Sequence, residues 1–183
     1  MSTDRIPFQV TSAGAAYDFG KLPVQVVLVD VRSLYNVGAF FRTCDAAGVD
    51  TLHLCGITGF PPNPQIRKTA LGADESVQWR RHSDATALIR KLRESGHEIA
   101  AVETSVHAVD LFDWRPRFPV CIVFGNEVEG IDPSISDACD THVRIPMLGL
   151  KHSLNVATAG GVAIYELLRK YRDARRERFA TDK

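Results

Sequence analysis

The chain has 183 residues, 45% of them hydrophobic, with 22 basic and 22 acidic side chains and a formal net charge of zero. That length fits one domain able to bury an ordinary core without disulfides or metals, and the neutral balance argues against a uniformly basic nucleic-acid-binding surface. No apolar run approaches the roughly 18 residues of a membrane span, and residues 1–21 lack the basic start and apolar core of a secretory signal, so a cytoplasmic location is expected.

Residues 1–22, with small residues from Ser12 to Ala16, read as an N-terminal arm. Val24 to Val29 is a buried-strand pattern rich in β-branched residues. A helix is expected from about Asn36, a good N-cap, with Val37, Phe40, Phe41, Cys44 and Ala47 on one face and Gly48 ending it. At 100° per residue Arg42 then points away from that face, the ordinary place for a solvated arginine. Thr51 to Cys55 is the next strand, followed by a loop with Gly56, Gly59, Pro61, Pro62 and Pro64. Ser76 to Trp79 is a third strand candidate, Asp84 to Glu94 a helix stopped by Ser95-Gly96, and Glu98 to Val102 a further strand. Val120 to Phe124 is the strongest strand. Asp132-Pro133 opens a short helix, His142 to Ile145 is the last strand, and the last helix is expected from about Asn155 to Tyr171.

Alternating strands and helices define an α/β class with a mainly parallel sheet flanked by helices. No linker divides it, so one domain is expected over residues 23–171, followed by a basic tail over 172–183 carrying Arg172, Arg175, Arg176 and Arg178. The interleaved Glu166, Asp173 and Glu177 also suit a solvated helix end. The four cysteines (Cys44, Cys55, Cys121 and Cys139) show neither C-x-x-C nor zinc-finger spacing, and read as reduced, mostly buried thiols; no metal is expected. Neither G-x-G-x-x-G nor G-x-x-x-x-G-K-[ST] is present, which disfavours a dinucleotide-binding or P-loop site. A flavodoxin-like small-molecule binder is disfavoured for the same reason.

Two loops stand out. Phe124-Gly125-Asn126-Glu127-Val128-Glu129-Gly130 follows the strongest strand, and its Gly-Asn-Glu serves either as a bare strand-to-helix turn or as part of a binding site. Ile145 to Asn155 is an apolar loop with Pro146 and Gly149, which either packs inward or lines a pocket for a flat apolar group such as a purine. Ser153 and Asn155 can each cap the helix that follows. In parallel sheets ligands gather beyond the carboxyl ends of the strands, where these loops lie. Gly160 and Gly161, each costing about 1 kcal/mol relative to Ala in a helix interior, imply a backbone passing close by, from this chain or a partner subunit.

Three segments in this order resemble the SPOUT class of RNA methyltransferases, and within it the SpoU/TrmH family of ribose 2′-O-methyltransferases. They are Asn36-x-Gly38-x-x-x-Arg42; Phe124-Gly125-x-Glu127-x-x-Gly130; and Ile145-Pro146-Met147 followed by Ser153-Leu154-Asn155-Val156. Lys68 to Ala73 is similar to the family's connecting region, and the resemblance covers about residues 24–170. It implies a sheet whose C-terminal part forms a deep trefoil knot, a homodimer, and S-adenosyl-L-methionine bound in the knot by Val102, Thr104, Gly125, Ile145, Met147, Ser153 and Leu154. It also implies that Arg42 stands at the target ribose, with Asn36, Glu127 and Asn155 in supporting catalytic roles. A guanidinium, whose pKa exceeds about 12 and which has no acceptor when charged, suits a phosphate clamp that steers the hydroxyl better than it suits a general base. Ala157 and His152 depart from the residues common in the family. The expected substrate is tRNA or rRNA, with Arg67, Lys68, Arg80 and Arg81 at the RNA. The contrasting expectation is a non-catalytic RNA-binding or assembly factor that keeps the fold.

Overall fold

A computed structural model describes residues 20–181, and side chains as far as Glu177. The arm expected over residues 1–22 falls outside the described residues as far as Phe19, and so does the side chain of Arg178.

Seven strands and six helices follow one another: β1 Leu22–Val29, α1 Leu34–Ala47, β2 Val49–Cys55, α2 Pro64–Ala70, α3 Ala73–Ser76, β3 Trp79–His82, α4 Ala85–Glu94, β4 Glu98–Val102, β5 Val109–Asp110, β6 Val120–Phe124, α5 Pro133–Ser136, β7 Thr141–Arg144 and α6 Val156–Thr181. The sheet order is β3-β2-β1-β6-β4-β7-β5, and each adjacent pair is parallel. The central strands are apolar on both faces, as a parallel sheet covered on both sides requires. One core packs α1, α2 and α6 against one face through Phe40, Phe41, Ile66 and Ile164. A second packs α4 and α5 on the other through Leu88, Ile89 and Ile135. Among the described residues no helix is long and apolar enough to cross a membrane.

Several boundaries differ from the sequence reading. α1 starts at Leu34 because Ser33, not Asn36, is its N-cap, its side chain accepting from the Asn36 N–H; Asn36 is thereby freed for a tertiary role. The third strand begins at Trp79 rather than ending there, because Ser76 closes α3. α2 was read as loop among prolines, yet Pro64 sits in its first turn and Asn63 caps it, the position where proline is tolerated. The last helix runs past Tyr171 to Thr181. Arg169 pairs with Glu166 and Asp173, and Arg176 with Asp173, at the spacings that support an exposed helix.

The glycines also resolve. A Cβ at Gly38 would lie 1.9 Å from Thr69 Oγ1 and 2.5 Å from the Ile66 carbonyl oxygen, so Gly38 lets α1 and α2 touch. Gly160 is buried under the Phe40 ring, 2.2 Å from where its Cβ would stand. The expected backbone crossing there is an aromatic side chain instead. Among the described residues Gly161 meets nothing within 4 Å, so none of them accounts for it. Cys44, Cys55 and Cys121 are buried free thiols and Cys139 is partly buried; burial raises all four above the usual thiol range.

Candidate functional site

A cavity of about 320 Å³ opens beyond the carboxyl ends of β4, β6 and β7, a volume in the range of small-molecule sites. All seven residues expected at the cofactor line it: Val102 and Thr104 after β4, Gly125 after β6, and Ile145, Met147, Ser153 and Leu154 after β7. Glu127 and Asn155 line it as well.

The loop after β6 is shaped by its own hydrogen bonds. The N–H groups of Asn126 and Gly130 each reach the other's carbonyl, at 2.9 and 3.0 Å. The Asn126 side chain accepts from the Val128 and Glu129 N–H groups at 2.8 and 3.1 Å, a local turn typical of asparagine. Its amide donates to the Asp30 carbonyl at 2.9 Å, clipping the loop to the end of β1, where Asp30 itself adopts a left-handed φ of 54°. Gly125 is needed for closure rather than for a reversed φ: a Cβ there would lie 2.2 Å from the Gly130 oxygen and 2.5 Å from the Ile131 nitrogen. Asn126 is buried and satisfied at every polar group; the expected alternatives of turn and site wall are one and the same here. An asparagine after Gly125 with glycine four residues on is the signal that marks its turn.

Glu127 joins the first and second segments. Its carboxylate accepts from the N–H groups of Arg32 and Ser33, both at 3.1 Å, and from the Asn36 side-chain amide at 3.0 Å. Asn36 Oδ1 in turn accepts from the Asn155 amide at 3.1 Å. Asn155 Oδ1 caps α6 by accepting from the Ala157 and Thr158 N–H groups. Asn155 thus performs the capping, and Ser153 faces the cavity. Asn36, Glu127 and Asn155 therefore form one polar chain across three loops.

Burial pushes the Glu127 carboxyl up, but hydrogen bonds led by the Arg32 N–H, with Asn36 and Ser33, outweigh it and hold the group below the usual carboxylate range. The ionised form is thus favoured more in the folded than in the unfolded chain. Its stabilisation is complete above the unfolded pKa of about 4.3 and is lost as pH falls through the lower folded value. The melting temperature of the wild type should exceed that of Glu127→Gln by a constant margin from pH 5 to 8, and the margin should close below about pH 4. A margin unchanged at pH 3 would contradict this assignment.

The loop Ile145 to Leu154 has a further property. Among the described residues, none of its backbone N–H groups finds a hydrogen-bond partner. Such groups need water or a ligand, and beside the apolar walls of Ile131, Ile145, Met147 and Leu154 they suit a flat heterocycle recognised by the main chain. Glu103 and Glu127 add carboxylates to the lining, which suit a ligand carrying positive charge. The residues present thus fit S-adenosyl-L-methionine. Among the described residues no group of three or more His, Cys, Asp or Glu could hold a metal ion.

Arg42 stands apart. It is exposed on α1, has no hydrogen-bond or ion-pair partner among the described residues, and is not in the cavity lining. It shares a shallow depression with Lys68, Thr69 and Tyr165. Of the other cations expected at RNA, Arg67 pairs with Glu75 at 2.6 Å. Arg81 places its guanidinium 4.3 Å from the Phe60 ring centroid, on the α1 face, and Arg80 points to the α4 face. Arg80 and Arg81 both line one groove, whereas Lys68 shares the depression of Arg42.

The described residues thus form an α/β protein whose parallel sheet carries, at its carboxyl edge, a cavity framed by these loops. Residues 23–165 match the SpoU rRNA Methylase family, and the chain belongs to that family. It is 32% identical over 149 residues to a Staphylococcus haemolyticus protein assigned to the TrmH family of tRNA/rRNA methyltransferases, covering 81% of this chain and 59% of the relative. The chain thus spans about three fifths of the length of the curated relatives it matches. Among solved structures, the A. aeolicus TrmH/SpoU tRNA modifying enzyme superposes with a TM-score of 0.77 at 27% identity, over 85% of this chain and 78% of that one. The AdoMet-bound rRNA methyltransferase from Sinorhizobium meliloti does so at 0.75 and 29%, over 80% and 56%. A structure solved for the 2-OH methylation of C/U34 on tRNA matches at 0.75 and 30%, over 82% of this chain and 97% of that one. A C-terminal trefoil knot is typical of this fold.

Proposed function

We propose that the chain is an S-adenosyl-L-methionine-dependent RNA methyltransferase that modifies a ribose 2′-hydroxyl, acting in the cytoplasm as a homodimer. The observation that carries the reading is the cavity at the β4, β6 and β7 ends, where seven expected cofactor residues converge and, among the described residues, the backbone N–H groups of 145–154 have no partner. The cofactor, when bound, supplies an electrophilic sulfonium methyl. The chain's own residues hold the geometry: Asn126 and Gly125 shape one wall, and Glu127, Asn36 and Asn155 lock the three loops together. Arg42 holds the phosphate beside the target ribose and steers the hydroxyl. Its place outside the cavity of its own chain supports the dimer, in which a second subunit brings an arginine to each cavity. The open side of Gly161 and the half-exposed Tyr165 on the same helix supply a surface for that contact.

A tRNA substrate is favoured over rRNA. The relative that this chain covers over 97% of its length was solved for a tRNA 2-OH methylation, which shows how compact such a chain can be. Two measurements test the reading. Calorimetry should detect binding of S-adenosyl-L-methionine; no heat of binding would favour the non-catalytic alternative. Mass-spectrometric mapping of ribose methylation in RNA from cells with and without the protein should lose one 2′-O-methyl nucleotide in the deficient cells. An unchanged map would refute the activity.

A further inference from the structure

The α4 face of the sheet carries a polar strip where apolar residues continue elsewhere. Gln25 on β1, His53 on β2 and His82 on β3 replace the Val and Cys side chains that cover this face farther along. They are joined end to end. His53 Nδ1 lies 2.9 Å from His82 Nε2, His53 Nε2 2.6 Å from Gln25 Oε1, and Gln25 Nε2 3.2 Å from His97 Nε2. His53 is 4% exposed. Charges along an edge strand guard it against pairing with other chains, but that purpose does not call for a buried histidine and glutamine one and two strands inward.

The strip floors a groove of about 730 Å³ between β3 and α4. Arg80 and Lys91 stand on its two walls, and neither has a hydrogen-bond or ion-pair partner among the described residues. The acidic residues of the groove are engaged. Asp84 caps α4 through the Ala87 N–H at 2.9 Å, and Asp50 meets Lys21 at 3.6 Å and the Thr51 hydroxyl at 3.3 Å. Two unpaired cations over a floor of imidazole and amide groups suit an anion with several oxygen acceptors.

We propose that this groove is a second RNA-docking site that holds backbone phosphates of the substrate through Arg80 and Lys91. It rests on the reading that the chain acts on RNA. β3 lies four strand positions from β4 in the sheet order, roughly 19 Å at the usual spacing. A folded RNA spans that distance easily, so one molecule can occupy the groove while its target nucleotide is at the cavity.

The test measures binding of unfractionated tRNA to the full chain as a function of salt, with S-adenosyl-L-methionine calorimetry alongside. Arg80→Ala/Lys91→Ala should weaken tRNA binding roughly tenfold near physiological salt and reduce the log–log salt slope by about two, while cofactor affinity stays unchanged. The swap Arg80→Lys/Lys91→Arg keeps both charges and should restore most of the binding, which a merely misfolded variant would not do. If the wild type and the Ala variant share one affinity and slope while cofactor still binds, the groove is not an RNA site. If inorganic phosphate or adenosine monophosphate perturbs the His82 resonances but tRNA affinity ignores the Ala substitutions, the groove takes a small anion and the strand assignment is wrong. Absence of cofactor binding in the wild type would instead strike the methyltransferase reading itself.

Discussion

Arg42→Ala should lower the rate of methyl transfer by roughly 10²–10³-fold, the usual loss when one aligned polar group is removed from a reacting centre, while changing cofactor affinity by less than about threefold. The split follows from position. Arg42 is exposed on α1 and absent from the cavity lining, so its removal leaves the pocket walls in place. It shares its depression with Lys68. Arg42→Lys is the sharper variant. Lysine keeps the charge but loses the planar fork that binds a phosphate at two points, so most of the rate should stay lost. Single-turnover rates at saturating cofactor, with calorimetric affinities for both variants, decide the matter. A Lys variant with near-normal turnover would rule out the bidentate clamp, and a large loss of cofactor affinity in the Ala variant would move Arg42 into the pocket.

Gly125→Ala is the second substitution with a large expected effect, and it acts on the cofactor rather than on the chemistry. The added methyl would meet the Gly130 oxygen at 2.2 Å, the Gly130 carbon at 2.3 Å and the Ile131 nitrogen at 2.5 Å. All three are backbone atoms, which cannot rotate aside as a side-chain end can. Either the Asn126–Gly130 pair opens or the strand end shifts, and either change displaces Glu127 from the Arg32 and Ser33 N–H groups it now holds. Overpacking of this kind costs about 1–3 kcal/mol, roughly 2–4 °C of Tm for each kcal/mol in a chain of this size. Cofactor affinity should fall at least tenfold by calorimetry, because one wall of the cavity moves. Gly149→Ala is the matched control in the other loop, since a Cβ there meets nothing within 4 Å. Equal effects of the two substitutions would show that Gly125 has no special steric role.

The polar chain Glu127–Asn36–Asn155 marks the boundary between what is legible in one dimension and what is not. Each of the three residues stands out within its own motif, because Gly, Asn and Glu at fixed offsets from an apolar strand are unusual enough to notice. Their mutual contacts span 91 and 119 residues of chain. No local rule links residues that far apart, so only the parallel sheet, by gathering β1, β6 and β7 ends, shows that Asn36 bridges the Glu127 carboxylate to Asn155. The same reasoning covers Asn36 itself. Its type suits a helix cap, and a competing cap three residues earlier, Ser33, releases it for the tertiary bond.

Hydrophobic period and turn chemistry determined by themselves the α/β class, the strand cores, Gly48 and Asp84 as helix limits, and the two polar loops after β6 and β7, while the Asn36–Arg42 segment is marked by the family resemblance. Those features rest on interactions within a few residues, which composition and spacing encode directly. The tertiary structure decided the rest. It converted the expected backbone crossing at Gly160 into contact with the Phe40 ring and formed α2 among prolines that read as loop. Gly160 and Phe40 lie far apart in sequence and meet only when α6 packs on α1, so spacing along the chain could not name the contact.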